Sequence, residues 1–224
     1  MIIIGRDENR LAAAASKLKS VSAIKADISN ADDLTNLVAT LKNDFPALNV
    51  VINNAGKAEL HDLADQNKDS AAIAEDEMLT NYLSVVKLNQ LLIPLLKQQA
   101  EAAIVNVSSV VAYVPGTTWP TYAASKAALH SYTTTLRLSL EHTSIKVFEL
   151  MPPLVDTELS AAIGGKNGIK PSQVAAEFFE AFSNDNFEIR VGDTAKIYEL
   201  FLSSPADALS VMNANRQAWS ETVG

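Results

Sequence analysis

The 224 residues suffice for one α/β domain with a sizeable core, and 48% hydrophobic and 20% charged residues are ordinary for a globular protein. The net charge of −8 disfavours nucleic acid and anionic membranes as partners, and the absence of cysteine excludes disulfides and thiolate metal sites. The sequence shows neither a membrane-length apolar run nor a secretory signal pattern. We therefore expect a cytoplasmic protein with a single domain over residues 1–224.

Short β-rich runs alternate with longer amphipathic runs along the chain, which predicts a parallel sheet with helices on both faces. The predicted strands are Ile2–Ile4, Val21–Ala26, Leu48–Ile52, Ala103–Val107, Ile145–Leu150 and Phe187–Val191. The predicted helices are Asn9–Leu18, Ala31–Asp44, Glu75–Gln99, Tyr122–Glu141, Pro171–Phe182 and Thr194–Asn213.

Four residues of functional interest follow predicted strands directly: Asp27, Asn53, Ser109 and Pro152. Ligands of open α/β sheets bind outside the carboxyl ends of the strands. The strand pattern therefore places these residues together on one rim of the sheet. The three histidines have no ligand spacing, so no metal site is expected.

Tyr122 and Lys126 are four residues apart on a predicted helix, and Ser109 precedes Tyr122 by 13 residues at a strand end. The i, i+4 spacing puts the tyrosine and the lysine on one face. A fixed positive charge is expected to lower the pKa of the phenol, which suits proton transfer to a carbonyl oxygen. The alternative is a half-buried aromatic beside a solvated lysine.

Six segments in this order resemble the short-chain dehydrogenase/reductase family: Asp27, Asn53-Asn54-Ala55-Gly56, Asn81, Ser109, Tyr122 with Lys126, and Met151-Pro152-Pro153-Leu154-Val155-Asp156-Thr157. The last segment is most similar to that of bacterial DltE-like oxidoreductases. The resemblance implies a Rossmann-like, doubly wound α/β fold. It also implies hydride transfer between a nicotinamide and a small carbonyl or alcohol substrate.

The resemblance further implies the residue roles. The catalytic residues would be Asn81, Ser109, Tyr122 and Lys126, with Asn81 holding a water in a proton relay. The cofactor-binding residues would be Arg6, Asp27, Asn53, Ala55, Gly56, Tyr122, Lys126, Pro152 and Thr157. Simpler roles stay open for some of them, since asparagine at a helix start and aspartate before a helix are common caps.

Arg6 follows the first predicted strand, where family members specific for NAD usually present an acidic residue to the ribose. A guanidinium suits a 2′-phosphate instead. We therefore expect NADP(H) to be favoured over NAD(H), although Asp7 follows immediately.

The family's usual opening, a strand with the glycine-rich turn TGxxxGxG, has no counterpart in this sequence. Its first residues, Met1-Ile2-Ile3-Ile4-Gly5-Arg6, resemble the family's second strand. Loss of a central strand would leave two rows of unpaired backbone groups or force their neighbours together. Three alternatives stay open: an NADP(H)-dependent reductase, a degenerate member that binds a ligand or partner without hydride transfer, and a fragment or mis-set start.

Two long predicted helices, Glu75–Gln99 and Tyr122–Glu141, carry leucines on more than one face: Leu83, Leu91, Leu95, Leu129, Leu136 and Leu140. In the family these helices pair across a two-fold axis. We therefore expect a homodimer or homotetramer, although the leucines could serve the sheet alone. Apolar residues between Ser109 and Tyr122, with the loop Leu154–Lys170 as a lid, are expected to line a substrate pocket.

Overall fold

The computed structural model describes residues 1–214. The strands are β1 (Ile2–Gly5), β2 (Ser22–Lys25), β3 (Val50–Asn53), β4 (Ala102–Val107), β5 (Ile145–Met151) and β6 (Glu188–Arg190). The α-helices are α1 (Glu8–Ala15), α2 (Ala31–Asp44), α3 (Ser70–Met78), α4 (Ser84–Leu96), α5 (Pro120–Leu140), α6 (Pro171–Ser183), α7 (Asp193–Ser203) and α8 (Pro205–Met212). A π-helical turn, Leu79–Leu83, joins α3 to α4.

The strand predictions are confirmed, with ends that differ by one or two residues. Two of the helix predictions need correction. The helix predicted from Glu75 begins at Ser70, because the side chain of Asp69 caps its first turn by accepting the N–H of Ala72. The helix predicted over Thr194–Asn213 is two helices, since Pro205 starts a new one after the extended residue Ser204.

All strand pairs are parallel, but they form two sheets, β1-β2 and β3-β4-β5-β6. Within residues 1–214 no strand lies between β1 and β3. The sheet is therefore split where the sequence predicted a missing central strand, and the gap has not closed. Apolar side chains are exposed beside it, with Ile4 at 39%, Val50 at 37% and Ile52 at 51%.

A layer of helices holds the two sheets together. Leucines of α2 and α4 form one buried cluster that Ile2 of β1 and Val51 of β3 both contact. On β4 and β5, separate clusters bury nearly every side chain. Strands covered on both faces are typical of a parallel sheet. The part of the rim that the core supports on both faces therefore lies at the ends of β4 and β5.

Candidate active site

Ser109 lies just beyond β4 and caps the short 3₁₀ helix Val110–Ala112. The N–H of Val110 donates to the carbonyl of Pro152, 3.1 Å away, which ties the ends of β4 and β5 together. The neighbouring Ser108 donates its hydroxyl to Glu149 instead. The two serines thus have separate partners, and Ser109 is the one beside Tyr122.

Tyr122 and Lys126 occupy one face of α5, as the spacing predicted, and both are buried. The Lys126 Nζ lies 5.5 Å from the centroid of the Tyr122 ring. It donates to the Val107 carbonyl at 2.8 Å, so the lysine spans from the helix to the end of β4. The Trp119 ring packs edge-on against Tyr122 at 5.3 Å between centroids. The alternative of a solvated lysine is therefore wrong.

The expected effect of Lys126 on Tyr122 is wrong for this structure. Burial raises the pKa of the Tyr122 phenol, Ser109 opposes this rise, and the buried carboxylate of Glu77 adds to it. Burial also lowers the pKa of Lys126 to about 8, with Glu149 opposing the fall. The reason is that desolvation penalises the charged form of each group more than their mutual attraction favours it. At neutral pH Tyr122 is protonated and can donate a proton.

Asn81 lies within the π-helical turn, not at a helix start as the sequence suggested. Its fully buried side chain accepts the N–H of Lys57 at 2.8 Å and donates to the Lys57 carbonyl at 2.8 Å. It also donates to the Ser125 hydroxyl at 2.9 Å, which in turn donates to the Tyr122 carbonyl at 2.7 Å. Asn81 therefore connects the loop after β3 to the helix of Tyr122.

The turn after β3 brings Gly56 against the same group of side chains. A Cβ on Gly56 would lie 3.7 Å from the Lys126 Nζ and 3.6 Å from the Asn81 Oδ1. The space beside the lysine is therefore kept open by the absence of a side chain. Ala55 is exposed in this turn. The Asn53 side chain turns inward and donates to Asn89 at 2.9 Å and Asn106 at 2.8 Å, so it stiffens the sheet.

Arg6 and Asp27 lie together at the ends of β1 and β2. The Arg6 guanidinium is 3.9 Å from one carboxylate oxygen of Asp27. The other oxygen accepts the N–H of Ser29 at 2.9 Å and its hydroxyl at 2.6 Å, and these bonds lower the pKa of Asp27. Asn30, not Asp27, is the N-cap of α2. Both side chains thus stand on the β1-β2 side of the gap.

Thr157 is exposed in the segment after β5, with its hydroxyl 3.2 Å from that of Ser160. The proposed pocket lining is partly wrong, because Val110 and Val114 are buried in the core. Tyr113 packs on Tyr198 at 4.6 Å between ring centroids.

Two buried carboxylates of this region were missed in the sequence. Glu77 accepts the N–H of Glu59 at 2.7 Å, and Glu149 lies on β5 between apolar neighbours. Both are fully buried. The signal was present for Glu149, since a carboxylate inside a run of strand residues is costly to bury and needs a partner.

The residues fit a nicotinamide nucleotide at its two ends. Tyr122, Lys126 and the open space at Gly56 suit a ribose and a nicotinamide, while Arg6 and Asp27 suit the adenosine end. A pyrophosphate needs clustered backbone N–H groups at a helix N-terminus. Among residues 1–214 no strand lies in the gap between β1 and β3, so no strand-to-helix turn supplies such groups there.

The arrangement can hold a carbonyl oxygen between the hydroxyls of Ser109 and Tyr122 and deliver a proton to it. In residues 1–214 no group of three or more histidine, aspartate or glutamate side chains could hold a metal ion. None of the helices in this part of the chain is long and apolar enough to cross a membrane.

Known proteins match this chain over most of its length. Residues 1–168 match the family model of the short chain dehydrogenases. The uncharacterized oxidoreductase DltE of Bacillus subtilis (strain 168) is 35% identical over 188 residues, which cover 84% of this chain and 74% of that protein. An uncharacterized oxidoreductase of Staphylococcus aureus (strain USA300) is 26% identical over 180 residues, 78% of this chain and 76% of that protein.

Solved structures share the fold at lower identity. A short chain dehydrogenase from Burkholderia cenocepacia J2315 in complex with NADP has a TM-score of 0.79 at 24% identity, covering 92% of this chain and 83% of that one. A short-chain dehydrogenase from Sphingobium yanoikuyae in complex with NADPH has a TM-score of 0.75 at 24% identity, covering 100% and 86%. The predicted Rossmann-like α/β fold is confirmed, and the chain belongs to the short-chain dehydrogenase family of oxidoreductases.

Proposed function

We propose that this chain is an NADP(H)-dependent carbonyl reductase or alcohol dehydrogenase in which Tyr122 is the general acid and base. The observation that carries the proposal is the convergence of Ser109, Tyr122 and Lys126 from the end of β4 and one face of α5. Complexes of related folds with NADP and NADPH support the cofactor class. One neighbour, from Burkholderia phymatum, is in complex with NAD, so the preference rests on Arg6.

Each side chain has a defined task in this mechanism. The bound nicotinamide supplies or accepts the hydride. Ser109 and Tyr122 donate hydrogen bonds to the substrate carbonyl oxygen, and these bonds strengthen as negative charge develops there. Tyr122 transfers its proton to that oxygen, and the Lys126 ammonium stabilises the phenolate that remains. Asn81 and Ser125 hold α5 against the loop after β3, which keeps Tyr122 in place.

The direct test is NADPH oxidation at 340 nm with a panel of ketones and aldehydes. Millimolar NADPH is used, so that a weakly bound nucleotide is still loaded. We expect ketone-dependent oxidation that the substrate's alcohol reverses with NADP⁺. No turnover with any member of the panel would contradict the enzymatic proposal for this chain.

Arg6 is expected to set the nucleotide preference. Its guanidinium is exposed at the end of β1, where it can pair with a 2′-phosphate. We expect adenosine 2′-monophosphate to bind more tightly than the 5′-isomer, and Arg6→Ala to abolish this difference. Isothermal titration calorimetry measures the affinity of each isomer for the parent protein and for Arg6→Ala. Arg10→Ala on α1 is the matched control. Equal affinities for the two isomers in the parent protein would contradict the prediction.

The family's helix pairing leads us to propose a homodimer or homotetramer. Leu83 is 50% exposed and therefore available to a partner subunit, whereas Leu95, Leu129, Leu136 and Leu140 are buried within the chain. We expect light scattering at micromolar concentration to give a dimer or tetramer mass, and Leu83→Glu to weaken it. Leu202→Glu, at a site 65% exposed on α7, is the control. A monomer mass for the parent protein would remove the proposal.

A second candidate is a family member that binds a ligand or partner without hydride transfer. The split between β1 and β3 favours it, because the gap has no phosphate-binding turn in residues 1–214. Against it stands the burial of the Lys126 ammonium beside Tyr122, because burying a charge costs stability and hydride transfer gives a reason for retaining that cost. The ketone panel separates the two candidates.

A further inference from the structure

Glu149 places a carboxylate in the middle of the otherwise apolar end of β5, and its side chain is fully buried. One oxygen accepts the hydroxyl of Ser108, the residue next to Ser109. The other lies 2.8 Å from Nδ1 of His130 on α5. Removing a carboxylate from water costs several kcal/mol unless partners compensate. Its place in the core therefore points to a role beyond packing.

Lys126 is the other buried charge of this region, with 3% of its surface exposed. Its Nζ is bound to the carbonyl of Val107, and the preceding residue Asn106 is paired in register with Glu149. The Lys126 ammonium reaches from α5 to the end of β4, and it therefore lies near the level of Glu149 on the adjacent strand β5. The negative charge of Glu149 favours the ammonium form and raises the pKa of Lys126 against the effect of burial.

We propose that Glu149 is a positioning residue of the active site, an inference that rests on the proposed function. Its carboxylate holds the Ser108 hydroxyl and the His130 ring, and it provides the counter-charge that keeps the Lys126 ammonium protonated in a dry site. The charge on Lys126 then stabilises the Tyr122 phenolate during turnover. Glu149 itself touches neither substrate nor nucleotide.

The other titratable groups around Glu149 in residues 1–214 do not supply a counter-charge for Lys126. The hydrogen bond to Glu149 raises the pKa of His130, and burial opposes that rise. Burial raises the pKa of Tyr113 to about 12, so this phenol is neutral near pH 7. On β6, Arg190 forms an ion pair with Glu188, and its guanidinium carbon lies 3.8 Å from the Tyr198 ring centroid. The two opposite charges of this pair nearly cancel.

Glu149→Gln tests the proposal, because it removes the charge with little change in shape. Both cations lose their counter-ion, so each should release its proton at a lower pH. We expect the pKa of His130 and that of Lys126 to fall by about one pH unit or more. Proton NMR of the three histidines, assigned with His130→Gln, gives the first value. Carbon-13 NMR of labelled lysine, assigned with Lys126→Met, gives the second.

Glu188→Gln is the matched control, since this side chain is 39% exposed on the neighbouring strand. It should leave the titration of Lys126 unchanged and move that of His130 less. An unchanged Lys126 titration in Glu149→Gln would overturn the proposal. If Glu149→Gln does not fold, the same titration of the wild-type protein tests the proposal instead. The pKa of Lys126 should then be about 8. A pKa near 5 to 6, as documented for buried lysines, would overturn the proposal.

These titrations need no turnover, so they separate this inference from the proposed function. A Lys126 shift without ketone reduction would support the counter-ion and contradict the enzyme. Ketone reduction without a shift in the Lys126 pKa would support the enzyme and contradict the counter-ion role of Glu149. In an active protein, the decline in kcat with rising pH should begin at lower pH in Glu149→Gln, with little change in KM.

Discussion

Tyr122→Phe is expected to reduce ketone reduction by about 10² to 10⁴-fold, the usual contribution of a general acid. The substitution removes the single proton donor that the mechanism requires at the carbonyl oxygen. The ring, its packing on Trp119 and the helix stay in place. Steady-state kcat with a ketone and millimolar NADPH measures the effect. Circular dichroism should match that of the parent and the melting temperature should stay close to it, because phenylalanine keeps the ring and its contact with Trp119.

Tyr132→Phe is the matched control on the same helix. Its half-buried hydroxyl lies 3.4 Å from the Asn89 side chain and away from the catalytic group. We expect it to change kcat by less than about threefold, or roughly 0.7 kcal/mol. If Tyr122→Phe kept more than about a tenth of the parent rate, a loss below ~1.4 kcal/mol, Tyr122 would not be the acid.

NADPH is expected to bind this 224-residue chain only weakly and to raise its melting temperature very little. Arg6 and Asp27 stand on one side of the gap, Tyr122 and Lys126 on the other, and residues 1–214 supply no amide cluster for the pyrophosphate between them. A ligand stabilises the native state only as far as its concentration exceeds its dissociation constant. Differential scanning fluorimetry at 0.1 to 5 mM NADPH, roughly the range spanning weak affinities, measures this.

Adenosine 2′-monophosphate is the informative comparison. If the middle of the nucleotide contributes nothing, this fragment should bind within about tenfold of NADPH, a difference of ~1.4 kcal/mol. Micromolar binding of NADPH with millimolar binding of the fragment would show that contacts beyond the adenosine end, at the pyrophosphate or the nicotinamide, hold the nucleotide tightly. That result would contradict the expectation of weak NADPH binding.

Local sequence patterns were sufficient for most of the fold. Strand and helix positions follow from residue periodicity, and helix starts follow from residues such as Asn30 and Pro171. The rim also follows, because parallel strands end together and polar residues occupy those ends. The absent glycine-rich turn also predicted that a central strand is missing, but it left open whether the neighbouring strands would close the gap.

The electrostatics of the site could not be predicted in this way. Spacing placed Lys126 beside Tyr122 and suggested a lowered pKa for the phenol, but burial raises it, because desolvation depends on everything packed around both residues. The role of Asn81 also depends on the chain folding back, since its partners Lys57 and Ser125 are 24 and 44 residues away.

The sequence by itself determined the family and the order of the elements, and it singled out Ser109, Tyr122 and Lys126 as candidate catalytic residues, because these depend on residue type and spacing. Only the tertiary structure decided that the sheet stays split, that Asn53 turns inward, and that Glu149 faces His130 and Ser108. Buried charges and polar networks join residues far apart in the chain, and their energies depend on the solvent excluded around them. A local sequence pattern carries no information about this exclusion of solvent.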